Sequence, residues 1–216
     1  KGAYHLYVDF NKAFNSVPRR ALFRALRRYG FPESLVQALE LLYSSPSEFP
    51  IVNGRTLAHY PLDRGLRQGC PLSPVLFNLY LGLVLFSLPA HSGTVFSYID
   101  DILFRLAEKE DVVRIFDFFD RDVRALGLDM NPAKSEVQAL ESAPHFSFVS
   151  ASGATVSTLD AQGCPRDFYK YLGVYFYTSD QLPRLIAYVS SEIGAYFHVL
   201  SPLGLTHSEL ILLANC

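Results

Sequence analysis

The run FSYIDDILF, residues 96–104, sets two carboxylates side by side inside an apolar, strand-like segment. Placing an aspartate against Phe96, Ile99, Ile102 and Phe104 disfavours its charged form, so the pair constrains whatever folds around it. Two arrangements meet the constraint. In one, Asp100 and Asp101 belong to a tight hairpin turn that faces water, where aspartates are common. In the other they stay ionised by ligating a divalent cation, and hard carboxylate oxygens suit Mg2+ or Mn2+. The second arrangement needs at least one more acid from elsewhere in the chain.

A chain of 216 residues fits one domain, or one domain and part of another, and its 50% hydrophobic and 14% aromatic content is that of a globular protein. The only methionine is Met130 and the chain opens at Lys1 directly on a strand-like run, the pattern expected of an internal fragment with no readable targeting signal. Cys70, Cys164 and Cys216 are widely spaced, without a CxxC pair, which argues against a disulfide framework and a zinc site. The most apolar stretch, Pro74 to Leu88, is broken by Asn78 and Gly82 and falls short of the roughly 20 residues that span a bilayer, so it reads as a buried helix and no membrane partner is expected.

Net charge is −2, but it is unevenly spread. Residues 1–30 carry Lys1, Lys12, Arg19, Arg20, Arg24, Arg27 and Arg28 against Asp9 alone. The cluster reads equally as an electrostatic footprint for phosphates or as the solvated face of an amphipathic helix.

AYHLYVDF alternates and reads as a strand ending near Asp9. A helix follows with Pro18 at its start and Gly30 as its stop, then a second over PESLVQALELLYSS with apolar positions Leu35, Leu39 and Leu42. A hairpin turned at Asn53-Gly54, the loop RGLRQGCPLSP and the apolar helix come next, with Ser73-Pro74 as cap and first helical residue. The hairpin around SYIDDILF leads into a helix from about Lys109 to Leu126 closed by Gly127. Beyond it HFSFVS, ATVSTL and FYKYLGVYFY look stranded, until a last helix near Leu182. This order predicts an α+β domain with helices on one face of an antiparallel sheet, in which the strand ending at Asp9 can neighbour the one bearing Asp100 and Asp101.

Taken in order, YVDFNKAFNSV, RGLRQGCPLSPVLFNLYL, YIDDI, GLDMNPAKSEV and YKYLGV resemble motifs A to E of the reverse transcriptases, the non-LTR (LINE-like) retrotransposon enzymes most of all. The likeness covers about residues 4–177. It implies a right-hand polymerase palm with a ferredoxin-like core and part of the fingers over residues 1–180, and the start of a thumb or connecting helices over 181–216. It further implies an RNA-directed DNA polymerase that adds deoxynucleotides to a primer 3′ hydroxyl on an RNA or DNA template, acting inside the cell, in the nucleus for a eukaryotic retrotransposon product. Upstream fingers and most of the thumb are expected to lie outside these residues.

Carried over residue by residue, the resemblance makes Asp9, Asp100 and Asp101 the ligands of two Mg2+ ions, or Mn2+, which stabilise the attacking and leaving oxygens. It makes Phe14 the ring that excludes a ribose 2′ hydroxyl, Lys12 and Ala13 the backbone cradle of the triphosphate, and Gln68 and Gly69 the contacts to sugar or template edge. Lys134 becomes the cation beside the leaving pyrophosphate, and Tyr171, Leu172 and Gly173 the primer grip. The chain departs from the family at Asn15, where an aspartate is usual, and at Ile99, where alanine is usual. A module that keeps nucleic-acid binding without catalysis is the competing implication.

Overall fold

The structure, a computed structural model, describes residues 4–44, 51–56, 63–89, 93–140, 143–160, 162–164, 168–172, 174–177 and 183–191. The chain divides into two compact units, Lys1–Gly163 and Cys164–Cys216. In the first, β1 (Tyr4–Val8) is followed by a single turn α1 (Ala13–Ser16), helices α2 (Arg19–Arg28) and α3 (Glu33–Ser44), and the short strands β2 (Ile51–Val52) and β3 (Arg55–Thr56). Helix α4 (Leu72–Leu85), the hairpin β4 (Thr94–Tyr98) and β5 (Asp101–Leu106), helix α5 (Lys109–Ala125), β6 (Glu136–Ala139) and the pair β7 (Ser147–Val149) and β8 (Thr155–Ser157) complete it. The second unit contains the hairpin β9 (Phe168–Tyr171) and β10 (Val174–Tyr177) and a helix over 183–191.

Four strands form one antiparallel sheet in the order β4-β5-β1-β6. The expected α+β architecture is therefore present, and β1 pairs with β5 from Tyr4 opposite Leu106 to Val8 opposite Ile102. Alternation along β1 sends Tyr4, Leu6 and Val8 into a core shared with Ile102, Phe104 and Val137 of the sheet and with Phe77, Tyr80, Phe116 and Phe119 of the helices. Edge-to-face contacts join the layers: Phe104 meets Phe119 at 5.4 Å, and Phe10 meets Phe77 at 6.3 Å and Phe119 at 6.2 Å.

Helix α2 carries most of the basic cluster on its solvated face. Its Leu22, Phe23, Ala25 and Leu26 are buried, while Arg20, Arg24, Arg27 and Arg28 are exposed, so the run is an amphipathic helix. Arg27 is held by Glu33 at 2.7 Å and Glu40 at 2.8 Å. Arg19 is structural: its Nε donates to the Gly65 carbonyl and its guanidinium also donates to the Tyr43 carbonyl and lies over the Tyr43 ring. As expected, Pro18 precedes the helix and Gly30, at φ +82°, follows it.

Three local expectations are corrected. Helix α3 buries Val36, Leu39 and Tyr43, whereas Leu35 and Leu42 are exposed; a leucine pattern misled because the buried stripe is completed by a valine and a tyrosine. Helix α4 starts at Leu72 with Pro71 before it, not at Pro74, and Ser73 does not cap it, because the buried Ser73 hydroxyl instead donates to the Arg67 carbonyl at 2.6 Å. The same helix ends at Leu85 rather than Leu88, leaving Phe86 84% exposed. The Asn53-Gly54 turn forms with positive φ at both residues, and the run LAHYPL, residues 57–62, which reads as a neighbouring strand, lies outside the described residues. Among the described residues no helix is long and apolar enough to cross a membrane.

Candidate active site

The two-residue turn Ile99-Asp100 joins β4 to β5, with Tyr98 opposite Asp101. Of the paired aspartates, Asp100 is in the hairpin turn, and Asp101 opens β5 at the end of the sheet where β1 ends. Continuing the β1–β5 register one pair beyond Val8 and Ile102 sets Asp9 opposite Asp101. Ile99 takes φ +57°, a left-handed conformation that is costly for a β-branched residue, and it packs partly against the core.

The carboxylates sense one another. Asp9 is half-buried and its pKa is raised, chiefly by burial; Lys134 opposes the rise, Asp100 adds to it, and a hydrogen bond with Asn131 opposes it. Asp101 is also raised, by burial first and then by Asp100 and Asp9. Oδ2 of Asp9 is buried and has no hydrogen-bond partner among the described residues. Such an orphaned anionic oxygen beside two further carboxylates has the donor chemistry of a hard-cation site. The described residues nevertheless contain no group of three His, Cys, Asp or Glu side chains already gathered around one point. Asp9, Asp100 and Asp101 are therefore carboxylates that act on one another electrostatically rather than a closed cage.

Asp9 is held through its backbone. Its N–H donates to Ser135 Oγ at 3.2 Å and its carbonyl accepts from the Asn131 N–H at 2.8 Å. Sequence reasoning passed over Asn131 and Ser135; the available signal was the NPAKS run, whose Asn and Ser are residues that bond to nearby backbone. Lys134 lies on the same turn, exposed, and acts electrostatically on Asp9.

Motif A continues into α1. Lys12 takes φ +50° and ψ +48° before this single turn, its carbonyl accepts from the Ser16 N–H at 3.0 Å, and Ala13 is buried. Phe14 is half-buried and stacks on Phe77 of α4. It lines an open cleft of about 470 Å³ with Gln68, Gly69, Cys70, Pro71 and Pro74, so residues of motifs A and B meet there. Gln68 is exposed and its Nε2 donates to Asn15 Oδ1 at 3.5 Å, which gives the departing residue Asn15 a partner. A Cβ on Gly69 would meet nothing within 4 Å, so glycine is required there by φ +78° rather than by crowding. Crowding occurs instead at Gly65, φ +90°, where a Cβ would lie 3.3 Å from Asn15 Cα.

Tyr171 and Leu172 belong to the second unit. Leu172, at φ +50° and exposed, follows β9, and Gly173 lies outside the described residues.

The family model for reverse transcriptase (RNA-dependent DNA polymerase) matches residues 1–176. A Pol polyprotein from the type-1 retrotransposable element R2 of Nasonia vitripennis is 29% identical over 189 residues, covering 82% of this chain and 18% of the relative. The transposon TX1 149 kDa protein of Xenopus laevis is 29% identical over 180 residues, 79% of this chain and 13% of the relative. The chain thus spans less than a fifth of the length of these relatives. A solved telomerase from Candida tropicalis, in complex with a fragment of telomeric RNA, superposes with a TM-score of 0.56 at 12% identity, over 68% of this chain and 27% of that one, a likeness of fold. With the family model spanning residues 1–176, most of its length, the chain belongs to the reverse transcriptase (RNA-dependent DNA polymerase) family.

Proposed function

We propose that this chain is the palm, with part of the fingers, of an RNA-directed DNA polymerase that extends a primer 3′ hydroxyl with deoxynucleoside triphosphates on an RNA or DNA template. One observation carries the reading: the β1–β5 ladder ends at Val8 opposite Ile102, so Asp9 and Asp101 leave it at the same end, and Asp9 has a buried Oδ2 that lacks a hydrogen-bond partner among the described residues. The strand order β4-β5-β1-β6, with helices between β1 and β4 and between β5 and β6, supports a ferredoxin-like core.

Asp9, Asp100 and Asp101 would hold two Mg2+ ions, with Mn2+ able to substitute, and metal bound there would stabilise charge on the attacking and leaving oxygens of an in-line phosphoryl transfer. The chain's own residues do the rest. Phe14 presents its ring to the cleft where the sugar sits and leaves no room for a 2′ hydroxyl. Gln68 offers an amide to the sugar or template edge, and the Lys12-Ala13 backbone faces the triphosphate. Lys134 sets a positive charge beside Asp9, where negative charge develops on the departing pyrophosphate. The Tyr171-Leu172-Gly173 run is proposed to hold the primer.

Primer extension by the full-length protein tests the reading. Asp100→Asn combined with Asp101→Asn abolishes Mg2+-dependent incorporation while leaving RNA binding intact. Extension that survives in the double variant refutes the site, and RNA binding without incorporation by the wild type establishes the non-catalytic alternative.

A further inference from the structure

We infer that Ser135 is a positioning residue that sets where the Asp9 carboxylate stands, an inference that rests on the polymerase reading of the site. β1 and β6 pair from Tyr4 opposite Ala139 to Tyr7 opposite Glu136, and the ladder then breaks. Pairing resumes beyond the break, with Phe10 bridged to Met130 and the Asn11 N–H donating to the Asp129 carbonyl at 2.8 Å. Residues 131–135 therefore leave the ladder as a turn in mid-pairing, and Asp9 faces the gap.

A strand residue at such a gap loses its ladder partners, and unpaired buried backbone groups are costly. Here the turn replaces them. The Asn131 N–H donates to the Asp9 carbonyl, and the Asp9 N–H donates to Ser135 Oγ. The Ser135 hydroxyl then donates to the Asn131 carbonyl at 2.9 Å, so one side chain, 4% exposed, both accepts from the strand and closes the turn. Farther along, Asn11 Nδ2 donates to Asp129 Oδ2 at 2.8 Å and Arg124 pairs with Asp129 at 3.0 Å, which fixes the far side of the break.

The Asp9 side chain hydrogen-bonds with Asn131 of the same turn and keeps Oδ2 without a hydrogen-bond partner among the described residues, so the turn places the carboxylate through both its backbone and its side chain. Within the same five-residue excursion, Lys134 is carried to Asp9. Ser135 thereby fixes the distance between the motif A acid and the motif D cation. Threonine keeps both hydrogen bonds of the hydroxyl; alanine keeps neither.

In the full-length protein, Ser135→Ala lowers kcat for primer extension by about 10- to 100-fold and raises the Mg2+ concentration for half-maximal rate, with KM for primer–template unchanged. Ser135→Thr stays within about 2-fold of wild type on the same measures. Without metal or substrate, amide hydrogen exchange at Asp9 speeds up by roughly 10-fold or more in the Ala variant, beyond any change at the other β1 amides, and not in the Thr variant. An Ala variant with wild-type rate, Mg2+ dependence and exchange overturns the inference. So does a Thr variant as impaired as Ala, or an Ala variant whose kcat, KM and thermal midpoint all fall together. A wild-type protein that extends no primer refutes the polymerase reading instead, and the exchange comparison at Asp9 then still decides whether the clamp exists.

Discussion

Phe14 and Phe77 stack with ring centroids 5.3 Å apart and planes 21° from parallel. The contact ties the single-turn α1 that follows Asp9 to the middle of α4, so the aromatic wall of the cleft is braced by the core behind it. A braced ring excludes a substituent far better than a free one, because moving it disrupts packing.

Phe14→Val should therefore have two separable effects. Ribonucleotide incorporation relative to deoxynucleotide rises by about 10-fold or more, read from the ratio of kcat/KM values in single-nucleotide extension. Stability falls by about 1–2 kcal/mol, read from urea denaturation, because the stack is lost from a half-buried site.

Asp9→Asn should trade activity for stability. Burial and Asp100 raise the Asp9 pKa, so its charged form is disfavoured by the fold at pH 7 and an isosteric amide relieves the repulsion. Primer extension drops by roughly a thousandfold, while the thermal midpoint without added metal rises. A midpoint that falls would show that the carboxylate is a structural group.

His5 gives the fold a weakness in acid. Its pKa is lowered to about 4, by burial first and then by the Arg105 charge facing it across the ladder. The unfolded chain takes up this proton near pH 6.5 and the folded chain only near pH 4, so stability present above pH 6.5 is lost as pH falls through that window. The loss amounts to about 1–2 kcal/mol after allowing for partial exposure, and His5→Gln flattens the stability profile between pH 6.5 and 4 relative to wild type.

Two glycines of the motif B loop should respond differently to alanine. At Gly69 only the left-handed φ is penalised, costing about 1 kcal/mol. At Gly65 the Cβ also presses on the Asn15 backbone, so the cost rises to about 2–3 kcal/mol and the Gln68–Asn15 contact shifts. Chemical denaturation of the two variants side by side decides the ranking.

Much of this was legible from the residues. Alternation in AYHLYVDF and in the run around Asp101, with helices between, located the strands that bring Asp9 to Asp101. The resemblance singled out Phe14 and Gln68, and the structure lines one cleft with both. Illegible were features that depend on partners far along the chain. The buried stripe of α3, Val36, Leu39 and Tyr43, keeps the helical period but competes with the leucines at 35 and 42, and it is Tyr43 lying under Arg19 and against Phe23 that shows which face is buried. The first turn of α4 begins early because Ser73 is drawn back to Arg67. The clamp on Asp9 was missed because Asn131 and Ser135 sit in what reads as a loop, and only the broken pairing of β1 with β6 shows what they hold.

In the sheet, β1 lies between β5 and β6, yet it is the first strand to be made. During synthesis this segment leaves the ribosome long before Asp101–Leu106 and Glu136–Ala139, so it must wait, apolar and unpaired, for both neighbours. Deleting Tyr4–Val8 does not fray an edge: it takes out an inner plank and leaves the β4–β5 pair and β6 with nothing to join them.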